Sequence, residues 1–86
     1  MISSLMRRSS ALALQRRLAV NIRQLRQSRN LSQDELSSRA GLAVRHLQKL
    51  EAGEVNATLK TLAALAGALD VDPEALLQEL KRDRER

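Results

Sequence analysis

Residues 31–53, LSQDELSSRAGLAVRHLQKLEAG, constrain this chain more than any other stretch. Ser32 followed by Glu35 is the pattern of a capping box, in which each side chain satisfies an orphan amide of a helix's first turn. Leu31 and Leu36 flank that box at the spacing of a hydrophobic staple. The spacing therefore predicts a helix from Gln33, with Leu36 and Ala40 facing inward. Gly41 stands where that helix must stop and the chain must turn left-handed, which glycine does without steric cost. Leu42, Leu47 and Leu50 supply the inward face of a second helix, which Gly53 closes. Two helices joined by so few residues must cross steeply, and their small shared core needs apolar residues at fixed offsets around the turn. Counted from Gln33, leucine or alanine falls at the fourth, eighth, tenth, fifteenth and eighteenth positions, with glycine at the ninth. Two amphipathic helices of an unspecialised bundle would not need all of these together.

This segment resembles the helix-turn-helix of the phage repressor and Cro type, the XRE-like family of bacterial regulators. The likeness runs from about Leu18 to about Leu80. IRQLRQSRNLSQDEL is similar to the family's first helix and the start of its second; GLAVRHLQKLEAG is similar to its turn and recognition helix; TLKTLAALAGALDVDPEALL is similar to its fourth and fifth helices. The resemblance implies an all-α, compact five-helix, phage-repressor-like DNA-binding domain. Three positions depart from the pattern. Ser37 replaces a usual alanine, Ala57 replaces a frequent proline, and Ala43 stands where serine or threonine normally caps the recognition helix. Losing such a cap costs about 1 kcal/mol, and Ala43 also removes a hydroxyl that could meet a phosphate.

Eighty-six residues allow one domain with a marginal core. With no aromatic residue, the core must be leucine, alanine, valine and isoleucine, and there is no stacking platform for unpaired bases. The absence of cysteine removes disulfides and thiolate metal sites, as expected of a reducing cytoplasm. No cofactor and no metal are expected, and no apolar run approaches the ~20 residues needed to span a membrane. The net charge of +5 points to a polyanionic partner. That charge is unevenly placed: residues 1–33 carry seven arginines and no acid, whereas residues 34–86 carry eight bases and ten acids.

Along the chain, residues 1–10 show no core pattern and read as a flexible basic arm. MISSLMRRSSALALQRR also fits an arginine- and serine-rich presequence, but its apolar stripe runs unbroken into the first helix. The domain is expected over 11–81, with the helix-turn-helix proper at 33–52 and a charged tail at 82–86. Ala11, Leu14, Leu18, Ile22 and Leu25 form the stripe of helix one, capped by Ser10 and ending near Ser28, with Asn30 as a left-handed stop. Thr58 caps helix four, whose Leu59, Leu62, Ala63, Ala66 and Leu69 are expected to face inward. Asp72 and Pro73 start helix five, which carries Leu76, Leu77 and Leu80.

In a motif of this kind the recognition helix lies in the major groove with its N-terminal residues against base edges. Leu47 and Leu50 fix its buried face, which leaves Val44, Arg45, Gln48 and Lys49 on the outer face or its margin. Arg45 can pair doubly with guanine, Val44 can touch a thymine methyl, Gln48 can read adenine, and Lys49 can meet guanine or a phosphate. By family position, 44, 45 and 49 match base-reading positions best. Gln33 resembles the family's glutamine that pins helix two to the backbone, beside free amides that attract phosphate. Asn56 fits a second backbone clamp; Arg39, Lys60 and the lone His46 add phosphate contacts. Arg26 and Glu51 resemble a family pair joining helix one to the end of helix three, a structural role shared with Gly41.

The expectation is a cytoplasmic, sequence-specific double-stranded DNA-binding regulator of bacterial or phage type. It is read as a repressor and homodimer, paired through Val71, Leu76, Leu77 and Leu80 on a palindromic operator. No residues are left over for a ligand-sensing domain, which suits a small repressor or a controller protein of the restriction-modification kind. An antitoxin that represses its own operon, with a toxin as partner, is an alternative. A protein-binding adaptor is another, although it would not need the hydrogen-bonding residues outside helix three. An enzyme fits worst, since Asp34 and Glu35 are explained by the helix start, where negative charge is favoured.

Overall fold

The computed structural model describes residues 10–79. Four α-helices follow one another: α1 (Ala11–Ser28), α2 (Gln33–Ala40), α3 (Val44–Glu51) and α4 (Leu59–Leu69), then a single 3-10 turn, Pro73–Leu76. No strand occurs among the described residues. The basic arm but for Ser10, the first nine residues of the presequence reading and the charged tail lie outside the described residues.

The helix starts follow the side chains that can accept from free amides. Ser10 accepts from Ala13 N, Ser32 from Glu35 N, and Thr58 from Thr61 N. At α2 the box is complete, because Glu35 Oε1 accepts from Ser32 N at 2.8 Å. Those hydrogen bonds, first from the Ser32 backbone and then from its hydroxyl, hold the Glu35 carboxyl below the usual carboxylate range, and Arg39 one turn on adds to the effect. α3 is the exception, since Ala43 offers no side-chain cap. Stops are equally local. Gly41 ends α2 at φ +72°, Asn30 takes φ +56° after α1, and Asp70 takes φ +61° after α4. Asp70 is a left-handed stop that the sequence reading did not single out; its short polar side chain makes this conformation affordable.

The core is a cluster of leucines with one isoleucine and Ala66. Ile22, Leu36, Leu47, Leu50, Leu65, Leu69 and Leu76 are fully buried, each worth roughly 1.5–3 kcal/mol of transfer free energy. α1 packs on α3, α2 on both α3 and α4, and the 3-10 turn closes against α4 and α1. Three expectations change. The inward face of α4 is Leu62, Leu65, Ala66 and Leu69, whereas Leu59 is 84% exposed and Ala63 is exposed. Leu59 lies in the first turn, beyond the end of the core, and Ala63 lies about 100° around the helix from Leu62. Ala11 is exposed too, so the stripe of α1 is half-buried at Leu14 and buried only from Leu18.

The fifth α-helix is replaced by the 3-10 turn. Its carbonyls are drawn sideways: buried Asn21 donates to the carbonyls of Leu76 and Gln78, both at 2.8 Å, and Arg17 donates to that of Leu77. Asp72 makes no side-chain cap there, although Pro73 sits at the start as expected. Leu76 is fully buried in its own core and so cannot form a surface between copies. Val71 and Leu77 are half-buried, and Leu80 lies outside the described residues.

Arg26 of α1 and Glu51 of α3 form an ion pair between the two helices. Arg26 Nε meets Glu51 Oε2 at 2.7 Å and Nη2 meets Oε1 at 3.0 Å, while Nη1 donates to the Leu31 carbonyl at 2.9 Å. Arg23 adds a bond to the Glu51 carbonyl. Glu51 is only 4% exposed, so this carboxylate depends on its partners. Glu51→Ala strands the guanidinium and is expected to cost about 3 kcal/mol of stability in urea unfolding. A loss under about 0.5 kcal/mol, the range of an ordinary surface substitution, would show that the pair does not brace the fold. Glu35 gives a pH-dependent contribution. Its lowered value means that the contribution is complete above the unfolded value near 4.3 and fades as pH falls through the folded one. Glu35→Gln keeps a capping box but has no such titration, so thermal melts should show less acid destabilisation between about pH 5 and 3 than in the unsubstituted protein.

Candidate nucleic-acid interface

The second helix of the motif, α3, is held on one side and free on the other. Leu47, Leu50 and Glu51 bury its inner face. Arg45, Gln48 and Lys49 are exposed on the outer face and share a shallow depression with Ala52 and Glu54. Val44 and His46 are half-buried at the margin. The side chains of Arg45, His46 and Lys49 make no hydrogen bond to another of the described residues. A single α-helix carrying long donors on one exposed face has the width and chemistry to enter a DNA major groove. Glu54 places one acid at the far end of that face.

The start of α3 is electropositive for a second reason. His46 N and Leu47 N both turn back to the Ala43 carbonyl, and no side chain covers the amides ahead of them. Gly41 takes the left-handed turn between α2 and α3, at φ +72°, without steric cost. Its N–H and that of Leu42 satisfy the Ser38 and Ser37 carbonyls at the end of α2.

Gln33 joins the two helices. Its Nε2 donates to Glu51 Oε1 at 3.0 Å, and its Oε1 accepts from Gln48 Nε2 at 3.5 Å. The other residues singled out for phosphate contact are dispersed. Arg39, in the last turn of α2, faces Glu35 one turn back; Asn56 borders a groove with Ala11, Leu14 and Gln15; Lys60 lies in the first turn of α4. All three are exposed. The structure thus brings together Arg26, Gln33, Gln48 and Glu51, and does not join Arg39, Asn56 or Lys60 to that group.

Sequence reasoning missed the polar side chains of α1. Gln15 donates to the Gly53 carbonyl at 3.2 Å, and Arg17, Asn21 and Arg23 take the carbonyls described above. Asn21 had a signal: it falls three residues after Leu18 and beside Ile22, inside the apolar stripe, where a polar residue has to find partners. No group of acidic, histidine or cysteine side chains able to hold a metal occurs among the described residues, and none of their helices is long and apolar enough to cross a membrane.

Comparison with known proteins agrees with this geometry. The helix-turn-helix profile HTH_3 matches residues 22–76. Control protein C.SmaI of Serratia marcescens is 41% identical over 69 residues, covering 78% of this chain and 82% of that protein. The crystal structure of the restriction-modification controller protein C.AhdI from Aeromonas hydrophila superposes with a TM-score of 0.71 at 32% identity, over 72% of this chain and 94% of that one. A hypothetical transcription factor NHTF from Neisseria gives a TM-score of 0.75 at 30% identity, over 81% and 80% of the two chains. With its capped α2, its left-handed Gly41 and its braced α3, the chain belongs to the helix-turn-helix family HTH_3 of DNA-binding transcription regulators.

Proposed function

We propose that this protein is a sequence-specific repressor of the restriction-modification controller kind, working as a homodimer on a palindromic operator in the bacterial cytoplasm. The observation that carries the reading is the exposed row Arg45, Gln48 and Lys49 on a helix whose angle is locked by the Arg26–Glu51 pair. Names of two similar proteins, a control protein and a restriction-modification controller protein, support the controller role. Arg45 is assigned to guanine, Val44 to a thymine methyl, Gln48 to adenine, and Lys49 to guanine or phosphate. Arg39, His46, Asn56 and Lys60 are assigned to phosphates, with Gln33 contributing its backbone amide at the start of α2.

One such domain covers a modest DNA surface, and pairing across a two-fold axis supplies the rest of the specificity. With Leu76 committed to the core, the surface for a second copy is Val71 and Leu77 together with the outer side of the last turns of α4 around Gly67, beyond Lys60. Gly67→Glu tests this cleanly, because a Cβ at that position meets nothing within 4 Å. Sedimentation should show a monomer at concentrations where the unsubstituted protein is dimeric, with loss of affinity for a two-half-site duplex. An unaltered dimer would sink this surface.

Selection of sites from random duplex DNA at two salt concentrations tests the function itself. A palindromic consensus with a steep salt dependence is expected, since each neutralised phosphate releases a counterion. Arg45→Ala is expected to cost roughly 1–3 kcal/mol on the selected site and to relax one base position. Equal weakening on every sequence would instead assign Arg45 to phosphate.

A further inference from the structure

The side chains that join α2 to α3 form a directed series. A carboxylate only accepts hydrogen bonds, whereas a carboxamide has one donating end and one accepting end. A carboxamide beside a buried carboxylate therefore has its orientation decided for it. Glu51 is such a fixed point, since it is buried and both its oxygens are held by Arg26. Gln33 must turn its Nε2 to Glu51 Oε1, at 3.0 Å, which sends its own carbonyl away from the pair. That carbonyl meets Gln48 Nε2 at 3.5 Å, the outer limit of a hydrogen bond. Turning Gln33 over would set its carbonyl against the Glu51 carboxylate, and turning Gln48 over would then oppose two carbonyls. Gln48 is exposed, so its carbonyl and its second amide hydrogen remain at the surface.

We propose that Gln33 is a positioning residue for specificity: anchored on Glu51, it holds the Gln48 carboxamide in one of its two orientations. Gln48 then presents a fixed acceptor and donor to the groove, an edge that fits the N6 donor and N7 acceptor of adenine. The inference rests on Gln48 facing a base. Its two carboxamide ends are nearly the same shape, so nothing steric would choose between them. The choice is made electrostatically, by a carboxylate two residues removed in the hydrogen-bonded series. Sequence preference at one base pair is thereby tied to the ion pair that holds the helix.

The test uses the full chain and affinities for duplexes varied at the base pair whose preference Gln48→Ala abolishes. A roughly tenfold preference there, of the size a bidentate contact gives, falls to about twofold in Gln33→Met. The preference lost in Arg45→Ala is retained, and the Gln33→Met, Gln48→Ala double variant loses no more at the Gln48 pair than Gln48→Ala alone. Gln33→Asn, which keeps both amide ends but is a methylene too short to join Glu51 to Gln48, gives the same loss and serves if Gln33→Met does not fold. An unchanged preference overturns the proposal, and so does equal weakening on every duplex, which would make Gln33 a backbone clamp. If the unsubstituted protein selects sites but Gln48→Ala abolishes no preference, Gln48 does not read a base and the proposal falls with that assignment. If the unsubstituted protein selects no site at all, the regulator reading itself has failed.

Discussion

Glu51 is a carboxylate taken out of water at the end of the second helix of the motif, and the motif is arranged around keeping it paired. Arg26 satisfies both oxygens, Gln33 satisfies one of them again, and Arg23 takes the same residue's carbonyl. Such a pair adds little to stability compared with an apolar replacement, because desolvation offsets most of the attraction. Its value is directional. A leucine at position 51 could pack at several angles, whereas a doubly bonded guanidinium accepts one. α1, α2 and α3 each contribute a side chain to this arrangement, so one buried charge ties the three helices together.

The contrast between the two helices of the motif is physical as well as geometric. α2 begins with a complete capping box and ends on a left-handed glycine, so its boundaries are set by its own residues. α3 begins at Ala43 without a side-chain cap and is held by its far end and its leucines. The start of α3 is thus the less satisfied end, and its uncovered amides are of the kind that attract a phosphate oxygen.

Local rules made most of this legible in the sequence. Ser10, Ser32 and Thr58 act as caps, Asn30 and Gly41 as stops, and the Leu36, Leu47 and Leu50 core of the motif lies where spacing placed it. What misled was tertiary. Leu59 looked like the first core residue of α4, but periodicity does not say where the neighbouring helix ends. Asp72–Pro73 looked like the start of an α-helix, but side chains from α1 captured the carbonyls that would have extended it. Among the site residues, the Arg26–Glu51 pair was visible through family resemblance. The placing of Gln33 between Glu51 and Gln48 needed coordinates, because side-chain orientation within a network is not written in spacing.

The same captured carbonyls bear on how the domain comes into being. Asn21 reaches the Leu76 carbonyl 55 residues along the chain, and Arg17 reaches that of Leu77 across 60. Helical domains usually fold through near-neighbour contacts, which makes them fast. Here the buried amide nitrogen of Asn21 in the first helix also waits for nearly the last described residues before it finds its acceptors. On the ribosome, the motif can assemble from local contacts as soon as it emerges, while the clasp between α1 and the 3-10 turn closes only once the Leu76, Leu77 and Gln78 carbonyls have emerged as well.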